Sequence, residues 1–138
     1  MTGRPERHVV TCFLERRGDI LLLRRSAKVG SFRGWWAGVS GYVESSPDAQ
    51  SLIEIGEETG LSPNELTLVK KGSPLAVDDD ETNTIWVVHP YLYHTRDECT
   101  INIDWEHDEF CWIGPQELTS YNIVPGLRDA FLRVYATK

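Results

Sequence analysis

Residues 46–61 of this chain read SPDAQSLIEIGEETGL, and the reading of the fold turns on them. Ser46 suits a helix N-cap, Pro47 the first helical position, and Asp48 the positive end of the helix dipole. Gly60 supplies a C-terminal stop. The spacing therefore predicts a helix over 47–59. Leu52, Ile55 and Thr59 fall on one face of it, and Glu54, Glu57 and Glu58, at i, i+3 and i+4, fall on another. No Lys or Arg stands three or four residues from any of the three glutamates. Carboxylates grouped in this way repel one another unless something positive sits among them. A hard divalent cation with oxygen ligands meets that need. Magnesium, which takes few protein carboxylates and keeps water and phosphate oxygens, suits an open helix face. The plain alternative is a solvated acidic face.

Outward from the helix, the preceding segment Trp36 to Glu44 reads as a strand. Its glycines, Gly38 and Gly41, mark places where another backbone or a ligand comes close. Further upstream, His8 to Glu15 and Ile20 to Leu23 read as two strands joined by a hairpin turn at Arg16–Asp19, and Ser26 to Gly34 as a polar loop. Downstream, Leu66 to Lys71, Thr84 to His94, Cys99 to Ile103 and Glu109 to Ile113 read as strands, with Asp78 to Asn83 as an acidic turn. A short helix is expected near Pro115. A last helix is expected from Gly126 to the end of the chain, burying Leu127, Ala130, Phe131 and Val134. Strands mixed with two substantial helices imply a layered domain, α/β or α+β, with helices packed on a mixed sheet.

The chain has 138 residues and a formal net charge of −7. That length suits one domain with a sizeable core, and the acidic balance argues against a protein that holds nucleic-acid polymers by neutralising phosphate. The charge is uneven: residues 1–36 carry net +5 and residues 37–138 net −12. The three cysteines, Cys12, Cys99 and Cys111, are odd in number and lack CxxC spacing, so reduced thiols and a cytoplasmic setting are expected. Neither a secretory leader nor a membrane span is expected. The four histidines, His8, His89, His94 and His107, share no metal-binding spacing and read as surface or hydrogen-bonded strand residues.

The segment from Gly41 to Leu61 resembles the Nudix box, G-x5-E-x7-R-E-U-x-E-E-x-G-U, where U is a bulky aliphatic residue. Gly41 takes the first glycine, and Glu54, Ile55, Glu57, Glu58, Gly60 and Leu61 take the second half. The resemblance extends over most of the chain. Arg16 to Arg25 is similar to the family's hairpin, Trp36 to Glu44 to its Gly-bearing strand, and Cys111 to Leu118 to its late Trp strand and short helix. Three departures stand out. Glu54 follows Gly41 by thirteen residues where the pattern has fifteen, which removes the first box glutamate. Ile53 stands where the family has an arginine that pairs with the neighbouring carboxylates. Gly56 interrupts the helix, at a cost of about 1 kcal/mol relative to alanine.

The resemblance implies an α/β/α sandwich, with a mixed central sheet and helices on both faces, spanning 1–138 as a single Nudix domain. It implies a metal-dependent pyrophosphohydrolase that cleaves a diphosphate linkage in a nucleoside diphosphate derivative. The alternative it leaves is a non-catalytic Nudix-fold module that binds or senses a nucleotide. The implied cofactor is Mg2+, with Mn2+ as its substitute, held by Glu54, Glu57, Glu58 and Glu44. Catalytic candidates are Glu57, Glu58 and Glu109, with Glu106 a further carboxylate in the same late stretch. Candidate substrate contacts are Arg24, Arg25, Arg33 and Gly41, since arginine suits bidentate phosphate recognition. Strand alternation directs one of Arg24 and Arg25 toward the cleft and the other away. Of the adjacent Trp35 and Trp36, one is expected inward and the other exposed. The implied partner is a small nucleotide or other diphosphate, with no nucleic-acid polymer and no membrane; homodimers occur among family members. Ala76 to Asp79 carries neither the proline nor the tyrosine that marks two substrate subgroups after the box.

Overall fold

The computed structural model describes residues 3–135. Eight strands form one mixed sheet: β1 (Glu6–Arg16), β2 (Asp19–Arg25), β3 (Trp36–Ala37), β4 (Val39–Tyr42), β5 (Leu66–Lys71), β6 (Leu75–Asp79), β7 (Thr84–Thr95) and β8 (His107–Ile113). Two helices, α1 (Pro47–Thr59) and α2 (Leu127–Val134), cover its opposite faces. The fold is the expected α/β sandwich.

The two longest strands, β1 and β7, run parallel at the centre, paired from Glu6–Ile85 to Glu15–His94. Each shares its outer edge between two shorter strands. β1 pairs with β2 at one end and β4 at the other. β7 pairs with β5 along Tyr91–Thr95 and with β6 along Thr84–Val88. Strand alternation sorts the core into two layers. Val10, Cys12 and Leu14 face Ile55 and Leu61 on the α1 side. Phe13, Leu22 and Leu92 face Leu127, Ala130, Phe131 and Val134 on the α2 side.

The helix expected over 47–59 is α1. Ser46 Oγ accepts from the Ala49 N–H at 3.2 Å, and Gly60 closes the C-terminus in the left-handed region with φ 78°. The first turn is tied to the sheet. Asp48 accepts from Tyr91 Oη at 2.6 Å and pairs with Lys71 Nζ at 2.8 Å, and Ser51 Oγ lies 2.7 Å from Tyr93 Oη. These ties set the rotation of α1, and so the direction of its glutamates.

Four expectations are corrected. Trp36 to Glu44 is not one strand: the chain changes partner at Gly38, from β2 to β1. A Cβ at Gly38 would lie 3.0 Å from the Cys12 carbonyl oxygen. Cys99 to Ile103 forms no strand. It packs Cys99 and Ile101 into the α1 layer and is held by hydrogen bonds from Arg16 to the Cys99 carbonyl and from the Asn102 N–H to the Thr59 carbonyl. The acidic turn is shorter than 78–83, because Asp78 and Asp79 end β6. The short helix expected near Pro115 is present, as a 3-10 helix over Pro115–Ser120. The last helix ends at Val134, and residues 136–138 lie outside the described residues.

The α2 layer predicts a large packing penalty at its centre. Phe131 is 3% exposed, with its ring 5.0 Å from that of Phe13. Phe131→Ala is expected to lower unfolding free energy by about 3–5 kcal/mol in urea denaturation; a loss under 1 kcal/mol would contradict this packing.

Candidate active site

A cleft of about 1000 Å³ opens over the α2-side face of the sheet, where β4 and β6 leave the central strands uncovered. Its floor includes Val9, Thr11 and Val88. One rim carries Glu44, Glu54, Glu57, Glu106 and Arg25, and the other Asp78, Asp79, Asp80 and Glu81. The basic front meets these carboxylates at several points: Arg7 and Arg25 line the cleft, and Arg4 pairs with the second rim.

Glu54 and Glu57 come over the sheet edge because β4 is short and carries no side chain at Gly41. A Cβ there would overlap the Glu54 carboxylate. Gln50, one turn before Glu54, donates to its Oε2 at 2.7 Å and accepts the Glu44 N–H through Oε1 at 3.1 Å. This side chain ties two of the candidate ligands together. Its i, i+4 spacing to Glu54 was the available signal, but an amide carries no charge to attract notice.

Glu58 lies behind the other two and is only 2% exposed. Its Oε1 accepts the Ser40 N–H at 3.4 Å and lies 3.7 Å from His107 Nε2. Burial pushes its carboxyl well above the ordinary range, and the charges of Glu106, Asp104 and Glu54 push the same way. Glu54 is raised for the same first reason, burial, with Glu57 and Glu106 adding repulsion. Arg25 is the cation set among these groups. Its Nε donates to the Ser31 carbonyl at 2.9 Å, and burial lowers its affinity for a proton while Glu106 and Glu58 raise it.

Three candidates leave the site. Arg24 and Glu109 stand opposite one another across β2 and β8 and pair at 3.0 Å. Arg24 also donates to Asp108 at 2.7 Å and lies over the Trp36 ring. Neither Arg24 nor Glu109 lines the cleft. Arg33 is exposed and donates to the Val29 carbonyl at 2.7 Å, off the cleft wall. Of the adjacent arginines, Arg25 faces the cleft. Of the adjacent tryptophans, Trp35 lines it beside Phe32 at 5.3 Å, while Trp36 packs on Tyr121. Tyr42 and Trp86 form a second aromatic pair, 5.9 Å between centroids, at the other end.

The donor set at α1 is all carboxylate, which suits magnesium or manganese rather than zinc. Among the described residues, no three acidic, imidazole or thiolate side chains already converge in metal-ligand geometry. Repulsion between carboxylates without a shared cation opposes that convergence. The fit rests instead on the cradle at Gly41 and on Glu58, a buried carboxyl that, among the described residues, has no lysine or arginine within ion-pair distance. The acidic rim is partly neutralised, since Arg4 pairs with Asp78 at 2.7 Å and with Asp80. Asp79 accepts from Trp86 Nε1 and Thr82.

A layered α/β sandwich that turns a helical row of glutamates into a cleft past a glycine strand defines a Nudix-type phosphohydrolase. The NUDIX domain family model matches residues 4–134, and the chain belongs to that family of hydrolases. It is 26% identical over 132 residues to the nucleoside triphosphatase NudI of Escherichia fergusonii, covering 86% of this chain and 89% of that protein. The fold matches a MutT protein from Methanosarcina mazei Go1 with a TM-score of 0.78 at 21% identity, over 97% and 96% of the two chains. It matches an Ap4A hydrolase from C. elegans with a TM-score of 0.76 at 14% identity, over 92% and 93%.

The raised carboxyl of Glu58 makes stability depend on pH in a definite direction. The folded chain keeps this proton to higher pH than the unfolded chain, whose value is near 4.5. Metal-free stability is therefore fully present below that value and falls as pH rises through the folded one. Glu58→Gln is expected to raise the metal-free Tm at pH 8, with the gain vanishing toward pH 4, in thermal scans with EDTA. An equal loss of Tm at both pH values would contradict a buried, proton-holding Glu58.

Proposed function

We propose that this chain is a magnesium-dependent pyrophosphohydrolase acting on a nucleoside diphosphate derivative. The observation that carries the reading is the pair Glu54 and Glu57 on the wall of a sheet-floored cleft, with Glu58 buried behind them and Arg25 on the same wall. Glu54, Glu57 and Glu58, with Glu44 at the rim, would hold Mg2+ or Mn2+. Such an ion, when bound, neutralises phosphate oxygens and lowers the pKa of a coordinated water.

The remaining work falls to this chain's own side chains. Arg25 can donate Nη groups to a phosphate while its Nε stays fixed to Ser31. Glu106, on the cleft wall, replaces Glu109 as the late carboxylate able to take a proton, alongside Glu57 and Glu58. Phe32 and Trp35 at one end, and Tyr42 and Trp86 at the other, offer flat apolar surfaces to a base or sugar. Most of the catalytic effect then comes from positioning and preorganised charge.

The likeness to a nucleoside triphosphatase supports a nucleotide substrate. The family match from 4 to 134 supports reading 1–138 as a single Nudix domain. No described helix is long and apolar enough to cross a membrane. The free thiols of Cys12, Cys99 and Cys111 support a cytoplasmic setting. The second reading, a module that binds a nucleotide without cleaving it, draws on the exposed Ile53 in place of the pattern's arginine.

A panel of nucleoside triphosphates, nucleotide sugars and dinucleoside polyphosphates separates the two readings. With Mg2+, chromatography should show a phosphate-bearing product from at least one class. Glu57→Gln should lower kcat roughly 100-fold or more. Binding to panel members with no turnover would overturn hydrolysis and favour the binding module.

A further inference from the structure

Among the described residues, three that are not glycine have left-handed backbone: Arg17, Asn83 and Phe32, at φ 55°, 52° and 51°. Arg17 shares a two-residue hairpin turn with Gly18 between β1 and β2, and asparagine tolerates this region. Neither account covers Phe32. It stands in the long loop between β2 and β3, where an aromatic side chain carries steric strain that glycine or asparagine would not. Such strain persists only where the surroundings fix it, and it gathers at binding sites.

The surroundings of Phe32 converge on Arg25. The Gly34 N–H donates to the Arg25 carbonyl at 2.7 Å, and the Arg25 N–H donates to the Trp35 carbonyl at 2.8 Å. The Trp35 N–H donates to the Phe32 carbonyl at 3.1 Å, and this turn sets the two rings 5.3 Å apart. Arg25 Nε donates to the Ser31 carbonyl at 2.9 Å. Phe32, Trp35 and the Arg25 side chain therefore form one braced corner, and all three line the cleft. Both rings are half-buried, yet neither belongs to either core layer. The fold itself thus gives no use for the strained ring. Trp86, at the other end of the cleft, differs: it packs against the α2 layer and its Nε1 is bound to Asp79.

We propose that Phe32 and Trp35 are the subsite for the base of a nucleotide whose phosphate lies on Arg25. Phe32 is then a specificity-determining residue, which makes the cleft select diphosphates that carry an aromatic ring over those that do not. A base stacked on these rings gains contact that a bare phosphate chain lacks. Selection is by ring rather than by base identity, since every base has a π-face. The inference rests on the cleft taking a nucleotide, as proposed above.

The test measures binding of ADP, GDP, CDP, UDP and inorganic pyrophosphate to the full chain by isothermal titration calorimetry, with Ca2+ in place of Mg2+ to suppress turnover. Thermal scans on each variant report folding. Asparagine relieves the backbone at position 32 and removes the ring, so Phe32→Asn is expected to leave Tm unchanged or raise it. The same variant is expected to weaken the tightest-bound nucleoside diphosphate about 10-fold or more, while pyrophosphate binding changes less than about 2-fold. Phe32→Tyr keeps the ring and is expected to bind nucleotide within about 3-fold of the unaltered chain. Trp35→Leu is expected to weaken nucleotide binding in the same way, and it serves if Phe32→Asn does not fold. Unchanged nucleotide affinity in a folded Phe32→Asn would overturn the subsite. Joint loss of nucleotide and pyrophosphate affinity, in step with a lower Tm, would also overturn it by making Phe32 a structural prop for Arg25. If the unaltered chain binds pyrophosphate as tightly as every nucleoside diphosphate, the base contributes nothing and the subsite fails while the phosphate site stands. If it binds none of the five, the nucleotide reading itself fails and takes this inference with it.

Discussion

A carboxylate held almost entirely out of water at the seam between α1 and β4 constrains the rest of this structure. Glu58 must be reached by donors or neutralised, because an unpaired buried charge is costly. The fold answers with a backbone N–H from Ser40 and a proton held to higher pH than usual. A folded chain that keeps such a group buried is less stable at neutral pH than one with an apolar residue there. Retaining three glutamates on one helical face is intelligible if a divalent cation relieves their repulsion.

The geometry that exposes this row follows from the two central strands being longer than their neighbours. β1 and β7 share their outer edges between short strands, so the sheet forks at both sides. The fork beside β4 lets Glu54 and Glu57 pass from the α1 layer to the opposite face. Gly41 is the residue that permits the passage, since any Cβ would occupy the place of the Glu54 carboxylate. The ties from Asp48 to Tyr91 and Lys71, and from Ser51 to Tyr93, keep the helix from rotating its glutamates away. The core thus contributes to function through the orientation of α1.

Much of this was legible in the sequence where local chemistry decides structure. Ser46, Pro47 and Gly60 bounded α1, and the spacing of Glu54, Glu57 and Glu58 put them on one face. The periodicity of Leu127, Ala130, Phe131 and Val134 marked the α2 stripe. The misreadings came where tertiary partners decide. Leu75 to Asp79 is a strand only because β7 extends past β5 and offers a free edge. Cys99 to Ile103 has strand-like alternation, but its apolar residues fill the α1 layer with no strand beside them. Arg24 and Glu109 looked suited to a cleft, yet the regular antiparallel register of β2 and β8 sets them opposite each other, where they pair.

The opposed charges of the front and body of the chain also take on a more exact meaning. Most of the basic front is spent on structural pairing, with Arg4 on the acidic turn, Arg16 over Trp112 and Arg24 on Asp108 and Glu109. Arg25 alone of the arginines singled out for substrate contact lines the cleft, next to the carboxylate row. A site of this sign suits a phosphate ligand that arrives with its cation. The most direct measurement is a crystal structure of the chain soaked in Mn2+, with the ion located by anomalous scattering. We expect a peak bonded to the carboxylates of Glu54, Glu57 and Glu58. A peak confined to Asp78–Asp80, or none at saturating Mn2+, would contradict a cation site on α1.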